Sequence, residues 1–267
     1  MINTSPPPHT SSALHSPQMR SGEPGQSLSA DPELSIGAFR TLEVSYARNF
    51  VSNDQTLSIV IDGIRDEVIG KAICAQAINV IQQILLKGRD EARTAGEFRM
   101  LINEALTAAN SAIVRQIRDA NGRSAGCSLV LAMRGDSTLI VKSVGDCRAY
   151  LLRGDSLRQL THDHTLTQLL SGHGRIGSHL PGTRREVLLN CLGVHDFQAN
   201  DEFVSFDLRK GDRVLLTNRG LTSLLSHGEI ETRLCNSTTP TTASAMLGCT
   251  AVDRGAKSVS CVSIFAN

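Results

Sequence analysis

The sequence predicts an α+β domain in which packed antiparallel β-sheets are covered by helices, and three observations predict it. Apolar, β-branched runs of strand length follow one another across tight turn signals, as where Arg134-Gly135-Asp136 separates Cys127 to Met133 from Thr138 to Ser143. Two long stretches with apolar residues at helical spacing stand next to each other rather than between strands. The order of elements is therefore not the strict alternation that builds a parallel sheet.

Ordered sequence is expected from about Ile36. Residues 1 to 35 are rich in Ser, Pro, Gly and His, with too little apolar surface to offset the entropy of ordering, and are expected to be a disordered leader ahead of one domain at 36–267. Thr56 to Ile61 (TLSIVI) reads as a buried strand stopping at Asp62-Gly63, with Tyr46 to Val51 as its hairpin partner. Helices follow at about Gly70 to Leu86, with Ile73, Ala77, Val80, Ile81, Ile84 and Leu85 on one face, and at about Thr94 to Arg118. Cys127 to Met133, Thr138 to Ser143 and Cys147 to Leu152 then read as one antiparallel meander. Leu166 to Leu170 is a short helix leading into a loop with Gly172, Gly174, Gly177 and Gly182. Strands at Glu202 to Asp207 and Arg213 to Thr217, a helix-like Leu221 to Leu225 and a last strand at Val259 to Phe265 complete the chain.

Composition narrows the function classes. At 267 residues the chain suits one sizeable core. Lys and Arg number 27 against 26 Asp and Glu, so no whole-chain field steers it to nucleic acid or to an anionic membrane, and neither is expected as a partner. The seven cysteines contain no CxxC pair and sit mostly in apolar runs, which makes them reduced, structural hydrophobes. The N-terminus lacks a basic segment followed by an apolar one, and no apolar run reaches about 18 residues, so a cytoplasmic protein is expected.

The strongest motif series is Gly126 to Val130 (GCSLV), Val144 to Leu157 (VGDCRAYLLRGDSL) and Gln159 to Leu166 (QLTHDHTL), with Asp62-Gly63 and Gly70 upstream and Gly211 to Thr222 (GDRVLLTNRGLT) downstream. It resembles, in order and spacing, the motif series of the metal-dependent protein phosphatase 2C family over about residues 36 to 265. The resemblance implies a four-layer αββα sandwich, two stacked antiparallel sheets flanked by helices. It also implies a site at one edge of the sandwich, where carboxylates hold two Mn or Mg ions and water attacks a phosphoserine or phosphothreonine. Hard divalent ions want oxygen ligands, and two close together need several carboxylates to offset their repulsion.

At the implied metal positions the match is partial. Asp62 and Gly63 match the family's DG, whose aspartate bridges the metals and whose glycine offers a carbonyl, and Asp146 matches the aspartate of GDSR, which serves a further metal site in some members. Arg148 matches a largely structural arginine and His164 the family's DH. The NED acid has no counterpart between Val44 and Asn53, and Asp54 falls in the hairpin turn. Ile64 to Glu67 replaces MGGH, leaving Asp66 and Glu67 either as oxygen donors or as the acidic start of a helix. Arg219 stands where SDG has its aspartate, and Lys257, or Ala256 on a one-residue slip, where DN has its acid. A guanidinium about 5 Å from a divalent ion is repelled by roughly 6 kcal/mol at an effective dielectric of about 20. His162, His173, His179 and His195 lack the ligand spacing of a zinc site.

Two function classes follow. The favoured expectation is a pseudophosphatase, a regulatory protein that binds a phosphoprotein or kinase partner, with no cofactor, and with Arg219 and Lys257 neutralising Asp62, Asp146 or Asp66 or holding an anion. The alternative is a divergent serine/threonine phosphatase that binds Mn or Mg through Asp62, Asp66, Glu67 or Asp146.

Overall fold

The computed structural model describes residues 33–267 apart from 42–44, 53–54, 65–66, 89–90, 93, 120–124, 136–137, 173–186 and 200–201. The leader before Glu33 and most of the glycine-rich loop after Gly172 lie outside the described residues.

Among the described residues ten strands form two antiparallel five-stranded sheets. One sheet has the order β2-β3-β4-β5-β8, from Ser45–Ser52, Gln55–Ile64, Gly126–Gly135, Thr138–Val144 and Val204–Asp207. The other has the order β1-β10-β9-β6-β7, from Leu34–Arg40, Ser260–Ala266, Arg213–Thr217, Arg148–Arg153 and Ser156–Gln159. Helices α1 (Glu67–Gly88) and α2 (Ala95–Asp119) cover the first sheet; α4 (Arg219–Thr222), α5 (His227–Asn236) and α6 (Pro240–Asp253) cover the second; α3 is the short Leu166–Gly172.

Four layers need three apolar seams, and the strands supply them by alternation. Along β3, Leu57, Ile59 and Ile61 face α1 and α2, while Val60 faces the opposite sheet. With both faces buried, the strand is nearly continuously apolar. In the inter-sheet seam Val60, Val130, Val141, Leu151, Leu216, Val262 and Ile264 interdigitate. The third seam packs Tyr150, Leu152, Leu215 and Phe265 against Leu221, Ile230, Leu234 and Leu247.

Two expectations need correction. The segment read as one meander is split: β4 and β5 pair in one sheet, whereas β6 pairs with β7 and β9 in the other. The crossing occurs at Gly145, whose φ of 90° few side chains tolerate and where a Cβ would stand 2.4 Å from the Ser128 Cβ. In addition, Val68–Gly88 is long and apolar enough to cross a membrane by length and composition alone. In this fold its apolarity has another use: Ile73, Cys74, Ala77, Ile81 and Leu85 are fully buried against β3 and α2.

Helices α5 and α6 and strands β1 and β7 are absent from the sequence reading. α5 opens on a capping box, in which the Ser226 hydroxyl accepts from the Glu229 amide and the Glu229 carboxylate accepts from the Ser226 amide. α6 opens on Thr239 with Pro240 in its first turn. Both start signals were readable; their short apolar stripes, interrupted by Ser and Thr, were not.

Candidate metal and phosphate site

The site is a continuation of the inter-sheet seam. At the edge of the sandwich each strand carries, on the same face and two residues beyond its last apolar seam residue, a polar one: Asp62 after Val60, Ser128 before Val130, Asn218 after Leu216, Ser260 before Val262 and Ser45 before Ala47. Register brings them together, since Asp62 pairs with both Ser45 and Ser128 across the sheet. The Ser260 hydroxyl donates to the Ser45 hydroxyl across the two sheets at 2.7 Å.

Asn218, fully buried, organises this edge. Its amide nitrogen donates to the Ser258 carbonyl at 3.1 Å and also hydrogen-bonds Asp62, while its oxygen accepts from the Ser260 amide at 3.1 Å. The Ser258 hydroxyl donates to Asp62 at 3.3 Å. Burial pushes the Asp62 carboxyl from its ordinary 3.8 up to about 7; the hydrogen bonds from Asn218 and Ser258 oppose that rise and neighbouring Asp146 adds to it. Asp146, 9% exposed, is raised too, by burial first, against lowering contacts from Ser128 and Arg219.

The turn carrying Asp146 is held from behind. The Gly145 amide donates to His164 Nδ1 at 3.2 Å and the His164 amide donates to the Gly145 carbonyl at 2.8 Å. With Nδ1 accepting, the proton lies on Nε2, 3.1 Å from the Glu202 carboxylate. Next in the chain, Arg148 forms a two-pronged pair with buried Asp163, Nε to Oδ1 at 2.8 Å and Nη2 to Oδ2 at 2.5 Å. That arginine is structural, as the resemblance implied.

The structure therefore brings Asp62, Gly63, Asp146, Arg219 and Lys257 to one edge. Of the acids that Arg219 was expected to neutralise, it meets Asp146 and not Asp62. Its guanidinium lies 3.7 Å from Asp146 and is 42% exposed, while among the described residues Asp62 has hydrogen bonds and no ion pair. Lys257 is exposed on the wall of the same cleft, also without an ion pair among the described residues. The formal balance is thus two acids, Asp62 and Asp146, against two bases, Arg219 and Lys257. Asp54 and Asp66 lie outside the described residues, as does the Glu67 side chain. The sequence reading missed Asn218, Ser258 and the His164–Glu202 pair; the polar residue ending each apolar strand was the available signal.

Comparisons with known proteins agree with this architecture. The family model of protein phosphatase 2C matches residues 39–170. Serine/threonine phosphatase stp of Listeria innocua is 31% identical over 182 residues, covering 66% of this chain and 71% of stp. The chain belongs to the protein phosphatase 2C family. Protein phosphatase PhpP of Streptococcus pneumoniae is 26% identical over 198 residues, 73% of this chain and 79% of PhpP. The fold is shared with the S. agalactiae serine/threonine phosphatase, at a TM-score of 0.78 and 18% identity over 88% of this chain and 100% of that one. It is shared equally with the Mycobacterium tuberculosis phosphatase PstP, at a TM-score of 0.73 and 22% identity over 88% and 99%.

The donor set bears on the family's ions. Among the described residues no three of His, Cys, Asp and Glu converge as a metal-binding group, so the described acids do not match a two-ion cage. They do fit one hard cation. Burial raises the pKa of both Asp62 and Asp146, Asp146 adds to the rise at Asp62, and a divalent ion relieves that cost with oxygen ligands.

Proposed function

We propose that this chain is a metal-dependent protein phosphatase acting on phosphoserine or phosphothreonine in phosphoproteins. The observation that carries the reading is the Asp62–Asp146 pair at the sandwich edge, two acids whose burial is relieved by a divalent cation, beside an open cleft of about 380 Å³.

The pseudophosphatase expectation is overturned: relatives matched over two thirds or more of their length are named as a serine/threonine phosphatase, stp, and a protein phosphatase, PhpP. The expectation of no cofactor falls with it, because the catalytic domain of PstP, 23% identical, is in complex with two manganese ions. The physical error lay in giving the Arg219 charge its full repulsion on an ion in the pocket. Its guanidinium is instead drawn toward Asp146 and 42% exposed, where solvent screens the repulsion that the sequence argument took at full strength.

Asp62 and Asp146, with the Gly63 carbonyl the resemblance implies, are the groups that would hold the cation. When bound, such an ion acts as a Lewis acid and lowers the pKa of coordinated water toward neutrality. The rest is the work of the chain. Asn218 and Ser258 fix the orientation of the Asp62 carboxylate, and His164, through the Gly145 amide, fixes the turn that presents Asp146. The cleft bounded by Ser223, Leu224 and Gly255 admits a phosphorylated side chain from solvent.

The test is phosphate release from phosphoserine and phosphothreonine peptides with Mn or Mg, with chelator, and in Asp62→Asn. Release is expected only with metal, falling at least about 100-fold in the variant, as loss of a ligand and of the activated water demands. Metal-independent release, or none with either ion, refutes the reading.

A further inference from the structure

We propose that Arg219 and Lys257 form a direct binding site for the phosphoryl group of a phosphorylated side chain, supplying in protein cations part of the positive charge that the family draws from metal. The inference rests on the phosphatase reading for its substrate class.

Arg219 and Lys257 line one cleft together with Asp62, Gly220, Ser223 and Ser258. They reach it from different segments, the start of α4 and the stretch before β10, and the backbones of those segments are locked together. Buried Asn218 bonds the Ser258 carbonyl and the Ser260 amide at 3.1 Å each. Gly220 lies so close to Ser258 that a Cβ there would stand 1.7 Å from its carbonyl oxygen. The Lys257 carbonyl accepts from the Thr41 hydroxyl, and Thr41 also pairs with Val259 through backbone and side chain. Two bases are thereby presented to one cleft from backbones fixed against each other, and although Asp146 lies 3.7 Å from Arg219, an anion entering the cleft is drawn by both heads.

The ligand chemistry follows from the two heads. A guanidinium is a planar fork of five N–H donors that serves several acceptors at once, and an ammonium is a compact point charge. A phosphomonoester dianion offers three oxygens and enough charge for both. A peptide carboxylate offers one charge and two oxygens, which serves one of the two heads and leaves the other unmatched.

The experiment measures binding in chelator, where turnover is absent, of a phosphoserine peptide, its unphosphorylated twin and inorganic phosphate. The proteins are wild type, Lys257→Gln, Lys257→Arg and Arg219→Gln, with melting temperatures checked. Wild type is expected to prefer the phosphopeptide by about tenfold or more, each Gln variant to lose most of that preference and Lys257→Arg to keep it, since charge-assisted hydrogen bonds of this kind are each worth about a factor of ten. No preference in wild type, or one unchanged in Lys257→Gln, overturns the proposal; Lys257 is exposed, so its variant is expected to fold. Inorganic phosphate binding as tightly as the phosphopeptide overturns the assignment to a phosphorylated side chain. Mn-dependent turnover is scored separately. Turnover with the preference unchanged in the variants sinks this site and leaves the enzyme; base-dependent binding without turnover does the reverse.

Discussion

Replacing Asp62 by Asn should make the metal-free protein more stable above neutral pH, while abolishing its activity. Burial and neighbouring Asp146 raise the Asp62 carboxyl from 3.8 to about 7. A raised carboxyl favours the fold while protonated, so its contribution is complete below about pH 4 and is lost as pH rises through about 7. At about 1.4 kcal/mol per tenfold change in acidity, the ionised form costs the fold on the order of 4 kcal/mol at pH 8. Asparagine keeps the shape, still accepts from Asn218 and Ser258, and has no charge to bury. Chemical denaturation in chelator should therefore place Asp62→Asn about 4 kcal/mol above wild type at pH 8 and only about 1.5 kcal/mol above it at pH 5. Wild type loses stability across that window, and the variant keeps only the shallower slope due to Asp146, whose carboxyl is also raised. Added Mn should stabilise wild type at pH 8, because the ion binds only the folded site, and should leave the variant unmoved. A difference between the two proteins that is the same at pH 5 and pH 8 would refute the claim that Asp62 is a strained, cation-seeking acid.

Two further outcomes test how the edge is built. Arg148→Ala leaves the Asp163 carboxylate buried without its two-pronged partner and should cost about 3 kcal/mol by urea denaturation, with Arg148→Lys recovering little; a cost below about 0.5 kcal/mol would show the pair to be incidental. Gly220→Ala must part the backbone from the Ser258 carbonyl, displacing Arg219 from Lys257, and should lower kcat/KM at least about tenfold; an alanine variant with wild-type kcat/KM would disprove the locked geometry.

Much of the fold was legible in the sequence because its cause is local. The β2–β3 hairpin, α1, α2, β4, β5, β6 and β10 announce themselves through apolar periodicity and turn residues, and each lies within a residue or a few of its expected bounds. Helix α5 escaped because its buried face is short, only Ile230 and Leu234, and α6 because its buried face is mostly small residues, Ala243, Ser244, Gly248 and Ala251 around Leu247.

The sequence by itself determined the family, the four layers and the candidate residues, since motif order and strand alternation are properties of the chain. It also held the identity of the charges at 62, 146, 219 and 257. What it did not hold was their pairing. Alignment places Arg219 on a former metal ligand and invites the inference that it meets Asp62. Only the tertiary structure decides that the guanidinium lies 3.7 Å from Asp146 and that Asn218 and Ser258 hold Asp62. A charge acts through distance and solvent exposure, and both are set by how the two sheets meet at their edge, where one-dimensional order carries no coordinate.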